Sequence, residues 1–472
     1  MIKFNTNLKT VFILLALFIF TGNGFGQTCN AVPNEVLIDL INQSDLPAVA
    51  SQYGLNPTPL EQVGTPPTYR MQITNGQTPC QVTAAMQGDA RVFQAEANRR
   101  MNYVEGHGLP WTQGRSWAVG RSWAVGGSVK GFNSQWFPQM VRLDQAYNHP
   151  PASRGKRVDN NAPIVVAVLD TGIDLNHPAF EGRLVDPKDY RDFVGNDNDP
   201  SEVGVLHTSP AYGHGTHVAG IVALTAPDVK IMPLRVLDAN GESELWRVAK
   251  ALLWAAQHGA DVVNMSFGYP ENFAPGSNTF LEDVMKSCDG ITVPGEQVFC
   301  QNLEKIVYIA AGGNGGEIDL PNDGYPIGTA PVYPAAETVD SVDNLLGVGA
   351  STRIDKLASF TTMGNGSLNG GNRWVKAVAP GEDIVSAMPG GRYGMWSGSS
   401  MAAPVAAGIA ALMKAKNPNL PVGDLVETLE DTGRGWNCFR RGSEVKTNRV
   451  DAFCAVGGTL NCNLPDRTDT CQ

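Results

Sequence analysis

Three residues of this chain, brought together, could cleave an acyl bond. Asp170 follows the uncharged apolar run Ile164–Leu169 in VLDTGID, so it falls at the C-terminal end of a buried strand. His214 lies in GHGTHVAG, where Gly213 and Gly215 keep the backbone bare and the apolar residues from Val218 begin a helix. Ser400 lies in GSSMAAP and opens the Ala-rich stretch Met401–Lys414, which reads as a buried helix. A fourth residue, Asn314, sits in AAGGNGG just past the apolar run Ile306–Ala311. Each has an ordinary reading as well: a turn carboxylate, a helix N-cap, an Asn suited to a Gly-rich turn. His217, three residues after His214, reads as structural. Together the four offer an acid to orient an imidazole, an imidazole to take a proton, a hydroxyl to attack a carbonyl, and an amide for the oxyanion. The order acid, base, nucleophile is one of the known orders for this geometry. The lack of a G-x-S-x-G turn at Ser400 argues against a sugar or lipid esterase.

The elements that would position them alternate. Ile164–Leu169, Val229–Leu237, Val262–Met265, Ile306–Ala311 and Leu345–Val348 read as short buried strands, and Leu245–His258 as a helix stopped by Gly259. Such alternation predicts a parallel sheet covered on both faces, with its strand C-termini on one ligand-binding edge. Pro404 is expected in the first turn of the Ser400 helix, where a proline is tolerated. Residues 28 to about 105 read as a separate small unit. It has apolar periodicity over Val36–Ile41 and Leu46–Tyr53, a strand over Tyr69–Ile73, a helix around Val82–Met86, and a last strand near Arg91–Asn98. A linking region follows and holds the hexamer RSWAVG twice, at Arg115–Gly120 and Arg121–Gly126. Two copies are too few for a solenoid.

The 472 residues carry 46 acidic and 35 basic side chains, a net charge of -11. That excludes a basic nucleic-acid-binding arm and a polybasic membrane patch. Residues 1–26 read as a secretory signal: Lys3 and Lys9, the apolar run Val11–Phe20, then small residues from Thr21 to Gly26. The expected location is extracellular, with the periplasm as the alternative, and no membrane attachment after the signal is removed. All 8 Cys lie beyond it. Proximity suggests the pairs Cys29–Cys80, Cys288–Cys300, Cys438–Cys454 and Cys462–Cys471. No C-x-x-C pair or Cys/His cluster points to zinc.

The motifs around Asp170, His214 and Ser400 resemble those of the subtilases, the subtilisin-like serine peptidases. The resemblance covers roughly residues 135–456. It departs at Ser399, where Thr is commoner, at Val405, where a His is common, and at an apparent insertion, Glu271–Cys300. It implies an α/β subtilisin-like three-layer fold with a central parallel sheet, preceded by a small α+β propeptide. The implied organisation is a signal over 1–26, a ferredoxin-like inhibitory propeptide over 27–105, a connector over 106–135, a peptidase domain over 136–456, and a disulfide-bearing extension over 457–472. The implied function is a secreted, monomeric serine endopeptidase of broad specificity, working through an acyl-enzyme without a catalytic cofactor. The alternative is a narrow processing protease of the same fold, whose acidic subsites would draw on Asp197, Asp199, Glu242 and Glu244. A catalytically silent binding fold is disfavoured because Asp170, His214, Asn314 and Ser400 are all present. Ser266, Phe267 and Gly268 match the family's substrate-pairing strand, so protein substrates and the chain's own propeptide would bind as added strands. The run KDYRDFVGNDNDP sets Asp192, Asp197 and Asp199 in one loop. These suit a structural calcium, or else form a solvated acidic loop; Gly195 stands where calcium-binding relatives carry another acid.

Overall fold

The computed structural model describes residues 29–64, 67–103, 129–206, 208–270, 279–286, 303–315, 331–339, 342–362, 374–440 and 443–462. The signal, the RSWAVG repeats, most of the Glu271–Cys300 insertion and the Cys288–Cys300 pair lie outside these residues. Among the described residues no helix is long and apolar enough to cross a membrane.

The N-terminal unit runs β1 (Ala31–Leu40), α1 (Leu46–Tyr53), β2 (Glu61–Val63), β3 (Thr68–Gln72), α2 (Pro79–Met86) and β4 (Val92–Tyr103). Its antiparallel sheet has the order β4-β1-β3-β2, the βαββαβ pattern expected of a ferredoxin-like unit. Strand alternation sorts its two faces. Val36, Ile38 and Leu40 of β1 pack with Val49, Val82 and Met86 of the two helices, while Leu37 turns the other way. Local chemistry sets the helix ends: Thr78 and Gln81 form a capping box for α2, and Gly54, at φ 67°, closes α1. β4 runs well past the Arg91–Asn98 expected for it. Its outward face (Gln94, Glu96, Asn98) is polar, so apolar alternation does not reveal its length.

Three short helices lead onward: α3 (Val129–Asn133), α4 (Phe137–Met140) and α5 (Leu143–Asn148). The strands after them are β5 (Val165–Asp170), β6 (Arg191–Asp192), β7 (Lys230–Arg235), β8 (Glu242–Glu244), β9 (Val262–Met265) and β10 (Phe267–Pro270). There follow β11 (Val307–Ala311), β12 (Val332–Tyr333), β13 (Leu345–Ser351), β14 (Ala377–Pro380), β15 (Ile384–Met388), β16 (Arg392–Trp396), β17 (Arg434–Arg440) and β18 (Ser443–Arg449). The helices among them are α6 (His214–Thr225), α7 (Leu245–Gln257), α8 (Phe280–Lys286), α9 (Ser399–Lys416) and α10 (Val422–Asp431). The central sheet has the order β17-β18-β14-β13-β11-β9-β5-β7-β6, parallel from β6 to β14. This is the three-layer α/β fold expected from the alternation.

β5 explains why its sequence carries no charge before Asp170. Val166 and Val168 enter the core shared with α6 and α9, while Ala167 and Leu169 enter the core shared with α7. Every residue of α9 is buried, including Lys414 and Lys416. Their ammonium groups donate to backbone carbonyls, and burial pushes both down to about 8.

Among the described residues two disulfides are seen, Cys29–Cys80 as expected and Cys454–Cys462. The second replaces both Cys438–Cys454 and Cys462–Cys471. Cys454 sits in the short helix Ala452–Ala455, and Gly457, at φ 94°, turns the chain back toward it within eight residues. Non-reducing peptide mapping of the oxidised protein should therefore recover Cys454 linked to Cys462. A Cys438–Cys454 peptide would contradict this arrangement.

Candidate active site

β5, β9 and β11 all end on the same edge of the sheet, and α6 and α9 begin there. Asp170 and His214 meet at that edge. The His214 Nδ1–H donates to Asp170 Oδ1 at 2.7 Å, and both residues are only 1% exposed. The Thr171 amide donates to the same oxygen at 2.8 Å. Gly215 is required for this approach, since a Cβ there would lie 2.1 Å from the Gly172 carbonyl and 2.9 Å from Asp170 Cβ. The Trp396 ring covers the pair, 5.6 Å from the His214 ring.

Ser400 lies in the first turn of α9, against the end of β9. Its hydroxyl donates to the Ser266 carbonyl at 3.1 Å, and the Ser266 hydroxyl donates back to the Ser400 carbonyl at 2.9 Å. Asn264 holds the Ser266 hydroxyl in turn, at 2.9 Å. Pro404 accounts for this exchange. It lies in the second turn of α9, not the first as expected, and has no N–H to give the Ser400 carbonyl four residues back. That carbonyl is instead satisfied by Ser266. Asn314 follows β11, and its Oδ1 accepts from the Ser399 amide at 2.9 Å, which turns its NH2 end away from Ser399. The Gly313 amide donates to the Ser399 hydroxyl at 3.1 Å. Asp170, His214, Asn314 and Ser400 are thus all fixed at one edge.

His217 plays no part in that cluster. Its Nε2 lies 3.1 Å from the Ile384 carbonyl and 3.2 Å from the Gly394 carbonyl, joining α6 to the β15–β16 hairpin. Burial, with His214 close by, pushes it down to about 3, so it is neutral at working pH.

The expected substrate strand is at hand but already paired. β4 lies between β8 and β10, antiparallel to both. Tyr103 stands opposite Phe267, Asn102 opposite Gly268, and Met101 opposite Ser243. Phe267 is fully buried, in a core with Met101, Leu245 and Trp246. Gly268 has no room for a side chain: a Cβ would meet Val332 Cγ1 at 2.6 Å and the Tyr333 carbonyl at 2.7 Å. The Ser266 side chain faces α9, not the strand.

The acidic loop does not fit the calcium cage expected of it. Asp192 spends Oδ2 on Arg235 at 2.7 Å and Oδ1 on the Val194 and Gly195 amides. Asp197 Oδ1 accepts from the Asp199 amide, and Asp199 Oδ1 from Ser201. Among the described residues no three His, Cys, Asp or Glu side chains converge as a metal site would require. A carboxylate neutralised by a guanidinium is a poor ligand for a hard cation.

The subtilase family profile matches residues 161–457. A thermophilic serine proteinase of Bacillus sp. (strain AK1) is 32% identical over 68% of this chain and 67% of that protein. The chain belongs to the subtilase family. Thermitase of Thermoactinomyces vulgaris is 30% identical over 68% of this chain and 95% of its own length. The fold of this subtilase resembles the crystal structure of fervidolysin from Fervidobacterium pennivorans, a keratinolytic enzyme related to subtilisin. The TM-score is 0.59 at 20% identity, over 92% of this chain and 62% of that one. As a member of this family the chain is a subtilisin-like serine endopeptidase.

Sequence reasoning missed one residue beside this subtilase's acid–base pair. Glu202 lies two residues past the KDYRDFVGNDNDP run, and no motif marks it. Its bonds to Thr216 mark it out. For the loop itself, a thermal melt of the protein in calcium and in chelator is expected to give the same Tm. A rise of several degrees with calcium would show that Asp192 leaves Arg235 to bind it.

Proposed function

We propose that this subtilase is exported as a zymogen, and that Ser400 is the nucleophile, His214 the general base, Asp170 its orienter and Asn314 an oxyanion donor. The single observation that carries the reading is the 2.7 Å bond from His214 to Asp170, at the edge where the Ser400 hydroxyl is held against Ser266. Ser400 Oγ attacks the peptide carbonyl as its proton passes to His214 Nε2. The Asn314 amide and the N–H groups at the start of α9 receive the charge forming on the carbonyl oxygen. His214 then gives the proton to the departing amine, leaving an acyl-enzyme. Water, deprotonated by His214, releases the acid product and restores Ser400. Asp170 holds the imidazole in orientation and stabilises the imidazolium.

The N-terminal unit acts in this reading as an inhibitory propeptide over 27–105. Its β4 takes the position of an extended substrate between β8 and β10. It also satisfies two catalytic-unit helices at their N-termini, where backbone N–H groups lack partners. Glu96 Oε2 accepts from the Phe280 amide of α8 at 2.8 Å, and Asn98 Oδ1 from the Trp246 amide of α7 at 3.1 Å. Binding through backbone bonds admits many sequences, with a large apolar residue favoured where Met101 is buried. The narrow-specificity alternative draws on Glu244 and Glu242, which stand opposite Arg100 and Asn102. Hydrolysis of a peptide library separates the two: a requirement for a basic residue at the Arg100 position would favour the narrow reading.

The end of β4 also bears on where the chain is cut. β4 ends at Tyr103, opposite Phe267, the residue after Ser266, whose carbonyl accepts from Ser400. Self-processing is therefore expected in the segment that follows β4, before about residue 135. Full-length Ser400→Ala should accumulate uncut in a host lacking other proteases and lose hydrolysis of casein by several orders of magnitude. Normal maturation of that variant would reject self-cleavage. For the mature enzyme, Asn314→Ala should lower kcat roughly 100- to 1000-fold with little change in KM. A rise in KM at unchanged kcat would remove the oxyanion role.

A further inference from the structure

Glu202 is a carboxylate beside the acid–base pair that the mechanism leaves unused. α6 begins after Gly213, at φ 92°, and glycine has no side chain with which to cap a helix. The first N–H groups of α6 therefore need acceptors from elsewhere in the chain. Glu202 supplies one. Its Oε2 accepts from the Thr216 hydroxyl at 2.8 Å and from the Thr216 amide at 3.3 Å. The Thr171 hydroxyl and the Gly213 amide also face its carboxyl group, whose Oε1 is buried.

Thr216, which bonds Glu202, and Thr171, which lies near its carboxyl, also hold the neighbours of the pair. Thr171 Oγ1 accepts from the Gly215 amide at 2.9 Å, and the Thr171 amide donates to Asp170. Thr216 Oγ1 accepts from the Asp174 amide at 3.0 Å. The segment that carries Glu202 has little freedom to shift. The Ile173 amide donates to the Pro200 carbonyl at 3.0 Å, and the Glu202 amide to the Ile173 carbonyl at 3.1 Å. Gly172, between them and Asp170, would put a Cβ 2.7 Å from the Pro200 carbonyl.

We propose that Glu202 is a positioning residue for the acid–base pair: its carboxyl on Thr216 and its amide on Ile173 tie the helix start that carries His214 to the turn that follows Asp170. The inference rests on the roles assigned to those two residues above. Glu202 touches neither substrate nor the reacting atoms. It acts by fixing the direction from which the imidazole meets its acid, and misplacements well under a bond length are felt in turnover.

A second consequence concerns charge. Burial pushes the Glu202 carboxyl up to about 7, partly offset by the nearby donors on Thr171, Gly213 and Thr216, while the charge on Asp170 adds to the rise. The other titratable group facing it is Tyr212, on the segment before α6, which in turn senses Arg392 and Asp174. As pH rises through that range Glu202 becomes negative beside the pair, and a negative charge favours the imidazolium form of His214. Removing the charge should make the base available at lower pH.

The test is kcat and KM against pH for Glu202→Gln, Glu202→Asp and Thr216→Val, with active sites counted by phenylmethylsulfonyl fluoride. Per active site, E202Q should lose roughly tenfold in kcat with KM within about twofold, the scale of a small misorientation. Its acid limb should move to lower pH. E202D should recover part of the loss, and T216V, which keeps the carboxylate but cuts one link, should lose kcat without moving the acid limb as far. An unchanged kcat and acid limb in both E202Q and T216V would overturn the proposal. So would a loss explained wholly by fewer titratable active sites, since that marks a merely structural residue. Failure of the underlying catalytic roles would show separately, as hydrolysis that survives Ser400→Ala.

Discussion

The central sheet is buried on both faces, and the chemistry follows from that constraint. Side chains of β5 alternate into two cores, one shared with α6 and α9 and the other with α7. No functional group on such a strand can reach solvent except at its ends. Asp170 closes β5, Ser266 follows β9 and Asn314 follows β11, all on the edge to which parallel strands deliver their C-termini. The helices that return the chain supply the rest, with His214 opening α6 and Ser400 in the first turn of α9. Convergence of distant residues thus follows from the topology, and local bonds then set the distances.

Those local bonds depend on exceptions to the helix ladder. Pro404 withholds the N–H that would have bound the Ser400 carbonyl, which Ser266 then takes. Ser266 thereby fixes α9 against β9 and its own carbonyl against the Ser400 hydroxyl. Gly213 leaves the start of α6 without a side-chain cap, and Glu202 fills that need from outside. The N-terminal unit does the same for α7 and α8 through Asn98 and Glu96. In each case an unsatisfied backbone group at a helix start selects a partner from a remote part of the chain.

Much of this was legible in the sequence. Uncharged apolar runs located the buried strands, and Asp170 and Asn314 could be placed because they directly follow such runs. β4 was legible only at its start, because its outward face binds polar helix ends and not a core. Cys454–Cys462 was missed because proximity along a chain does not reveal where a glycine turns it back. The aspartates of the acidic loop looked like metal ligands because spacing shows the carboxylates and hides Arg235, which neutralises Asp192. Glu202 could not be found by pattern, since its partner Thr216 lies 14 residues away along the chain.

The central claim is that the cleft between β8 and β10 binds an extended chain, and that β4 is its first occupant. Hydrogen exchange at the backbone amides of Glu242–Glu244 and of Gly268 tests it most directly. The comparison is between the intact chain with Ser400 replaced by Ala and the same chain after an unrelated protease has removed the N-terminal unit. The account predicts slow exchange at these amides in the intact chain and much faster exchange after removal, with the β5 and β11 amides unchanged. Equal exchange at β8 and β10 in the two forms would contradict it.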